Sequence, residues 1–216
     1  MTRARLGLVA IVLGCLLTAC AGTPATPPPA SRGSGASDQA GTSQPRVDVD
    51  TPALRALKRK AGIAPCPAAK APPARGGLPG VVLPCLGGGR DVRLSGLHGP
   101  MVVNLFAQWC GPCREELPHY QRLHEKAGHR LRVLGLDYLD TQPAGALALA
   151  RTAGVTYPLV ADPGGSVRTA FRVRGLPGIV LVDAAGRVVD VEYRVISSYA
   201  ELRGLVRQRL GVQLPR

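Results

Sequence analysis

The chain has 216 residues, 45% of them apolar, and Lys and Arg outnumber Asp and Glu by 27 to 14, for a formal charge of +13. Such an apolar share argues against a wholly disordered chain and suffices for the core of one domain. The basic residues are scattered, with no stripe interleaved with aromatics, which argues against a nucleic-acid partner and leaves a surface suited to anionic lipid.

Arg3 and Arg5 precede 12 mostly apolar residues, Leu6 to Leu17, followed by Leu17-Thr18-Ala19-Cys20. A short basic start, an apolar stretch too short to span a bilayer and small residues before a cut describe a signal peptide over 1–19. Leu-Thr-Ala-Cys also resembles a bacterial lipobox, which would make Cys20 the lipidated first residue of the mature chain; an ordinary cut near Ala19 or Ala21 is the alternative. Of the 26 residues from 21 to 46, 21 are Ala, Gly, Ser, Thr or Pro. They offer too little apolar surface to offset their ordering entropy, so a lipid-anchored flexible linker is expected over 20–50, reaching roughly 25–30 Å as a coil.

About 165 residues remain, one domain's worth. Thr51-Pro52 opens a helical pattern through Ala61, with Leu54 and Leu57 on one face, expected to pack on the surface. From Ala64 to Gly89 the sequence is rich in Pro and Gly and reads as a loop. Gly87-Gly88-Gly89 is no phosphate cradle, because no Lys-Ser or Lys-Thr follows. Val92–Leu94 reads as a short strand and Met101–Phe106 as a buried one.

The stretch Trp109-Cys110-Gly111-Pro112-Cys113 comes next, between that buried strand and a helical pattern starting at Arg114-Glu115-Glu116-Leu117. A sulfur at a helix N-terminus meets the positive end of the helix dipole and free N–H groups, which lower its pKa from roughly 8.5 toward about 7. Cys110 is then the attacking thiol, and Cys113, one turn on, the resolving one. Haem attachment would need His where Arg114 stands, and zinc would want a second close pair of ligands. Metal: none is therefore expected, although a structural bridge and a zinc half-site use the same residue types.

Over Val103-Asn104-Leu105-Phe106-Ala107-Gln108-Trp109-Cys110-Gly111-Pro112-Cys113-Arg114-Glu115-Glu116-Leu117-Pro118, the chain resembles the thioredoxin superfamily. Within it, the resemblance is to the TlpA/ResA-like, membrane-attached, extracytoplasmic thiol-disulfide oxidoreductases. It extends in weaker form through Gly175-Leu176-Pro177 and covers roughly residues 86–216.

Beyond the motif, the helix is expected to run to about Ala127 with Leu117, Tyr120 and Leu123 inward, a kink at Pro118 and a stop at Gly128. Leu131–Leu136 follows as a strand, Pro143–Thr152 as a helix, and Val167–Phe171 as a turn or two of helix. Ile179–Val182 and Val188–Tyr193 form a hairpin around Ala184-Ala185-Gly186. The last helix starts at Ser198 with a capping box to Glu201 and buries Leu202, Leu205, Val206 and Leu210. His124 and His129 are spaced five apart, one more than a zinc-protease helix needs, and read as surface histidines. The fold class is α/β, a mixed central sheet flanked by helices. The resemblance makes it a thioredoxin-like fold over 86–216, with a disulfide-stapled N-terminal extension over 51–85.

Six cysteines are present. With Cys15 in the leader and Cys20 assigned to lipid, Cys66 with Cys85 and Cys110 with Cys113 form the natural pairs in an oxidising compartment. The first is expected to be a structural bridge contributing about 3 kcal/mol; a regulatory or second redox pair is the alternative. The resemblance implies that Pro177 is cis and faces the thiols, and that the Leu176 backbone pairs with a substrate chain. It also implies a proton-handling role for Glu116, against the plainer reading of a first-turn acid that answers the helix dipole, as Glu115 does. Gly178 stands where Thr is more usual after that proline. Asn104 stands where thioredoxin has a buried carboxylate, and is expected to hydrogen-bond within the core. Trp109 is a candidate contact surface beside the thiols.

These readings converge on a thiol-disulfide oxidoreductase needing no organic cofactor, and the resemblance places it at the extracytoplasmic face of the bacterial cell membrane. The resemblance also implies protein thiols or disulfides as substrates, apocytochrome c among them, and a membrane-embedded electron donor or acceptor as partner. Gly-Pro between the cysteines favours a reductant over an oxidant. A metal-binding lipoprotein and a thioredoxin-fold interaction module are the rivals; a peroxidase reading lacks a recognisable peroxidatic motif.

Overall fold

A computed structural model describes residues 47–216; the expected leader, lipidated Cys20 and the tether to residue 46 lie outside the described residues. The ordered chain starts before residue 51. Val49 is buried and its carbonyl accepts from Gly87 N at 2.9 Å, so the expected linker over 20–50 ends by Val47.

Helix α1 (Pro52–Ala61) is capped by the Thr51 hydroxyl and stopped by left-handed Gly62. It is less superficial than expected, since Leu54 and Lys58 are buried and it packs against a later helix. The stretch read as a loop contains β1 (Val82–Leu83), which pairs antiparallel with β2 (Val92–Arg93). Leu94–Gly96 then turns as a 3-10 helix into β3 (Met101–Phe106), buried along its whole length.

Helix α2 (Gly111–Ala127) begins inside the redox motif, ahead of the expected start at Arg114, and continues through Pro118 to Gly128, with Leu117, Tyr120 and Leu123 inward. Strand β4 (Arg132–Tyr138) and α3 (Pro143–Thr152) precede β5 (Leu159–Asp162), a strand absent from the sequence reading. Helix α4 (Arg168–Phe171) is a single turn. The hairpin of β6 (Gly178–Val182) and β7 (Val188–Glu192) leads to α5 (Tyr199–Leu210). The Ser198 hydroxyl caps α5 by accepting from Glu201 N, while the Glu201 carboxylate accepts from Ser197 N in place of the reciprocal bond to Ser198.

The main sheet has the order β5-β4-β3-β6-β7, with β3, β4 and β5 parallel and β6 and β7 antiparallel to their neighbours. Because side chains alternate across a sheet, β3 sends Val102 and Phe106 to one core and Met101, Val103 and Leu105 to another. The first core is closed by α1, α2, α3 and α5. The second is closed by α4, by Leu78 and Leu83 of the extension, and by Val92, Leu94 and Leu97 just after it. The extension is thus part of the same core structure, and the boundary drawn at 85/86 divides no packing unit. Cys66 and Cys85 are bonded to each other, and Cys85 bridges to Val160 at the open edge of β5.

Candidate active site

β3 and β4 are parallel and lie side by side, so the loop leaving β3 and the loop leaving β4 meet at one end of the sheet. Cys110 is the N-cap of α2, and its sulfur accepts from Cys113 N at 3.3 Å. The two sulfurs are bonded, with the Cα atoms 5.3 Å apart. Cys110 is 5% exposed and Cys113 1%, so Cys110 is the sulfur that another molecule reaches first. Gly111 and Pro112 form the exposed start of the helix, where a missing proline N–H removes no helical bond.

The turn before Cys110 is held from three sides. Gln108 N donates to Asp140 Oδ2 at 2.7 Å, Arg114 donates to the Gln108 carbonyl at 2.6 Å, and the Trp109 indole N–H donates to the Leu139 carbonyl at 3.2 Å. These bonds present Trp109 at 54% exposure, the most exposed large apolar side chain among the described residues, directly beside the disulfide. Asp140 also accepts from Gln142 N at 2.8 Å, and both it and Asp137 are buried. Burial, and then the neighbouring Asp140 carboxylate, push Asp137 well above the usual carboxylate range. Sequence reasoning missed this pair. Its signal, two Asp residues three apart at the end of an apolar strand, is too common to single out without knowing that Gln108 lies opposite.

Leu176–Pro177 is cis, and a second cis bond, Gly99–Pro100, precedes β3. The pairing Leu105↔Gly178 leaves buried Pro177 at the end of β6 that faces the exit of β3, with half-buried Leu176 beside it. Gly178 has a packing reason: a Cβ there would stand 2.9 Å from the Tyr193 ring, which is anchored by its hydroxyl donating to the Phe171 carbonyl at 2.7 Å.

Glu116, one turn beyond Cys113 on α2, is 1% exposed. One carboxylate oxygen accepts from Ile196 N, and the other has no partner. Burial pushes its pKa up to about 7, only partly offset by the Ile196 N–H. Glu115 is exposed. Asn104 is buried facing the Tyr120 hydroxyl, but among the described residues neither of its side-chain atoms reaches a well-formed hydrogen bond. Its neighbours across the sheet, Gly135 and Ile179, carry no polar side chain to meet it. His124 departs from expectation, being half-buried edge-on to the Tyr157 ring with centroids 5.9 Å apart, while His129 is exposed.

A helix-capping disulfide at the end of a buried parallel strand, on a mixed sheet of this order, defines a thioredoxin-like protein. The model of the AhpC/TSA family matches residues 75–191, and the chain belongs to that family. Among solved structures, MTB dsbF in its mixed oxidised and reduced forms superposes with a TM-score of 0.54 at 27% identity, covering 60% of this chain and 94% of that one. The thiol:disulfide interchange protein HelX of Rhodobacter capsulatus is 33% identical over 88 residues, 41% of this chain and 48% of that protein. The thiol-disulfide oxidoreductase ResA of Bacillus anthracis is 29% identical over 104 residues, 47% of this chain and 60% of that protein. The chain thus matches about half to three-fifths of the length of these curated relatives. No helix among the described residues is long and apolar enough to cross a membrane.

Proposed function

We propose that this protein is an extracytoplasmic, membrane-tethered thiol-disulfide oxidoreductase acting on protein thiols and disulfides through Cys110 and Cys113. The carrying observation is the exposure difference across a disulfide whose outer sulfur caps α2. In the reducing direction the Cys110 thiolate attacks a partner disulfide, forming a bond to one partner sulfur and releasing the other as thiolate. Cys113, which has lost its proton, then attacks Cys110, closes the internal disulfide and releases the second partner thiol, so two electrons pass to the partner. Glu116, with a pKa of about 7, takes or returns the proton of Cys113. Trp109 and Leu176-Pro177 line the groove that receives the partner chain.

The relatives' names, a thiol:disulfide interchange protein and a thiol-disulfide oxidoreductase, support this reaction class. Anchoring through Cys20, an apocytochrome c substrate and a membrane-embedded electron partner rest on the sequence resemblance. We read the direction as reducing, from Gly111-Pro112 between the thiols. Two bonded thiols three positions apart favour exchange with another disulfide.

The decisive experiment is the reduction potential of the Cys110–Cys113 couple, with Cys113→Ser used to trap mixed disulfides. A value near thioredoxin's, about −270 mV, with trapped protein partners is expected; a value above about −150 mV makes the protein an oxidant. Cys113→Ser that traps nothing while Cys110 resists alkylation near neutral pH refutes the oxidoreductase reading.

A further inference from the structure

The second disulfide lies in the other core, away from Cys110 and Cys113, and a buried cation touches it. Lys58, on α1, is 7% exposed; its ammonium donates to Cys85 Sγ at 2.9 Å and to the Gly88 carbonyl at 2.8 Å. Among the described residues it has no carboxylate partner. The acid that faces it, Asp50, is engaged by Arg55 at 2.5 Å. A buried ammonium satisfied only by a carbonyl and a neutral sulfur is unfavourable, and burial accordingly lowers the Lys58 pKa.

Gly87-Gly88-Gly89, unexplained by the redox motif, builds this contact. All three have positive φ, at 71°, 86° and 121°. A Cβ would stand 2.8 Å from Lys58 Cβ at Gly87 and 1.9 Å from Asp50 Oδ1 at Gly88, so only glycine lets this backbone close over the lysine. Beside it a groove of about 810 Å³ is lined by Cys66, Lys58, Arg59 and Arg90. Cys66 is 8% exposed and Cys85 1%.

We propose that Cys66–Cys85 is a second thiol-disulfide exchange site, at which Lys58 receives the charge of the leaving Cys85 thiolate. A dithiol is the substrate class, and Arg59 and Arg90, which form no ion pair among the described residues, favour an acidic carrier. The incoming thiolate bonds to Cys66 while the Cys66–Cys85 bond breaks, and the electron pair goes to Cys85. The dithiol's second thiolate then attacks the first, closing its own disulfide and releasing Cys66. The dithiol has lost two electrons and two protons. Cys66 and Cys85 have gained the electrons, Cys66 takes one proton, and the other goes to solvent because Cys85 remains a thiolate paired with Lys58. The buried cation, uncompensated while the bond is closed, gains its counter-ion when the bond opens.

The test is equilibration of the full-length protein in graded oxidised and reduced dithiothreitol, followed by acid quench, alkylation and mass mapping of each pair. Cys66–Cys85 is expected to open reversibly with near-UV circular dichroism retained. Lys58→Met is expected to shift that equilibrium toward the disulfide by at least about fivefold, about 20 mV. Lys58→Arg should keep most of the wild-type value, and the Cys110–Cys113 equilibrium should move with neither. A smaller shift in folded Lys58→Met, or opening only on loss of the fold, overturns the proposal. Should Lys58→Met not fold, the titration of Cys85 by thiolate absorbance in Cys66→Ala decides. A pKa well below that of a free cysteine, about 8.5, supports the ion pair, and one at or above it overturns it.

Discussion

Glu116 ties the stability of the oxidised protein to pH in a direction opposite to that of most carboxylates. Its pKa rises from 4.5 in the unfolded chain to about 7 in the fold, so between these values the native state holds a proton that the unfolded state releases. Stability from this group is therefore complete below about pH 4.5 and is lost as the pH climbs through 7. A shift of this size corresponds to about 3 kcal/mol, and in a domain of this size to about 6–12 °C in Tm. Glu116→Gln places a permanently neutral side chain of the same shape in the site, with an oxygen still able to accept from Ile196 N.

The assay is thermal or urea unfolding of the oxidised protein from pH 4.5 to 8.5, taken as the difference between wild type and Glu116→Gln. Asp137, also pushed up by burial, weakens the fold as pH rises, and His124, pushed down by burial, strengthens it; both cancel in that difference. The variant is expected to lose less stability than wild type across pH 5–7.5, by up to about 3 kcal/mol. Parallel curves for the two proteins would refute the assignment of a neutral, buried carboxyl to position 116.

Three further outcomes follow from the same geometry. Asp140→Ala removes the acceptor for Gln108 N and Gln142 N and should cost about 1–3 kcal/mol in urea unfolding, with a change in emission from Trp109, the chain's one tryptophan. Unaltered emission would mean that Asp140 does not hold the turn. Gly178→Thr drives a Cβ into the anchored Tyr193 ring and should cost about 1–3 kcal/mol, relieved when Tyr193 is shortened to Leu; the absence of that relief in a double-mutant cycle would point to another cause. Cys66→Ala with Cys85→Ala opens a loop of sequence separation 19 and should lower stability by about 3 kcal/mol in calorimetry, whereas an unchanged Tm would deny the bridge any stabilising part.

How much of the fold was legible depended on how local each element's cause is. Met101–Phe106 and Pro143–Thr152 were read to the residue because a run apolar but for Asn104 and a proline-opened amphipathic stretch carry their own signals. Strand β5 was not. Its four residues, Leu159–Asp162, are set between Pro158 and Pro163 and are too few for a period; they become a strand because β4 offers them a parallel edge. Half of the β1–β2 ladder was hidden too: Val92–Leu94 reads as a short strand, but its two-residue partner Val82–Leu83 becomes one only where Leu83 and Val92 meet the second core. The linker ran four residues too far because Val49 looks isolated until Gly87 and the first core are seen around it.

The site divides along the same line. The placing of Cys110, Cys113 and Trp109 at a strand-to-helix turn was legible because the motif itself sets that turn. Proximity across the sheet is what makes Asp140 hold Gln108 and Lys58 touch Cys85, and no spacing in the chain encodes it. Glu116 lies between these cases. Its place on α2 follows from counting, but its pKa near 7 follows from burial in the folded protein, which the N–H of Ile196, 80 residues away, only partly offsets. The Glu116 pKa therefore depends on how the segment before α5 docks on α2. Substitutions at Val195 or Ser197 that loosen that segment relieve burial, the larger effect, and remove the Ile196 N–H bond, the smaller and opposite one, so the Glu116 pKa should fall toward 4.5. A Glu116 carboxyl that still titrated near 7 by carbon-13 NMR in such a loosened variant would show that α2 and the first core bury it unaided.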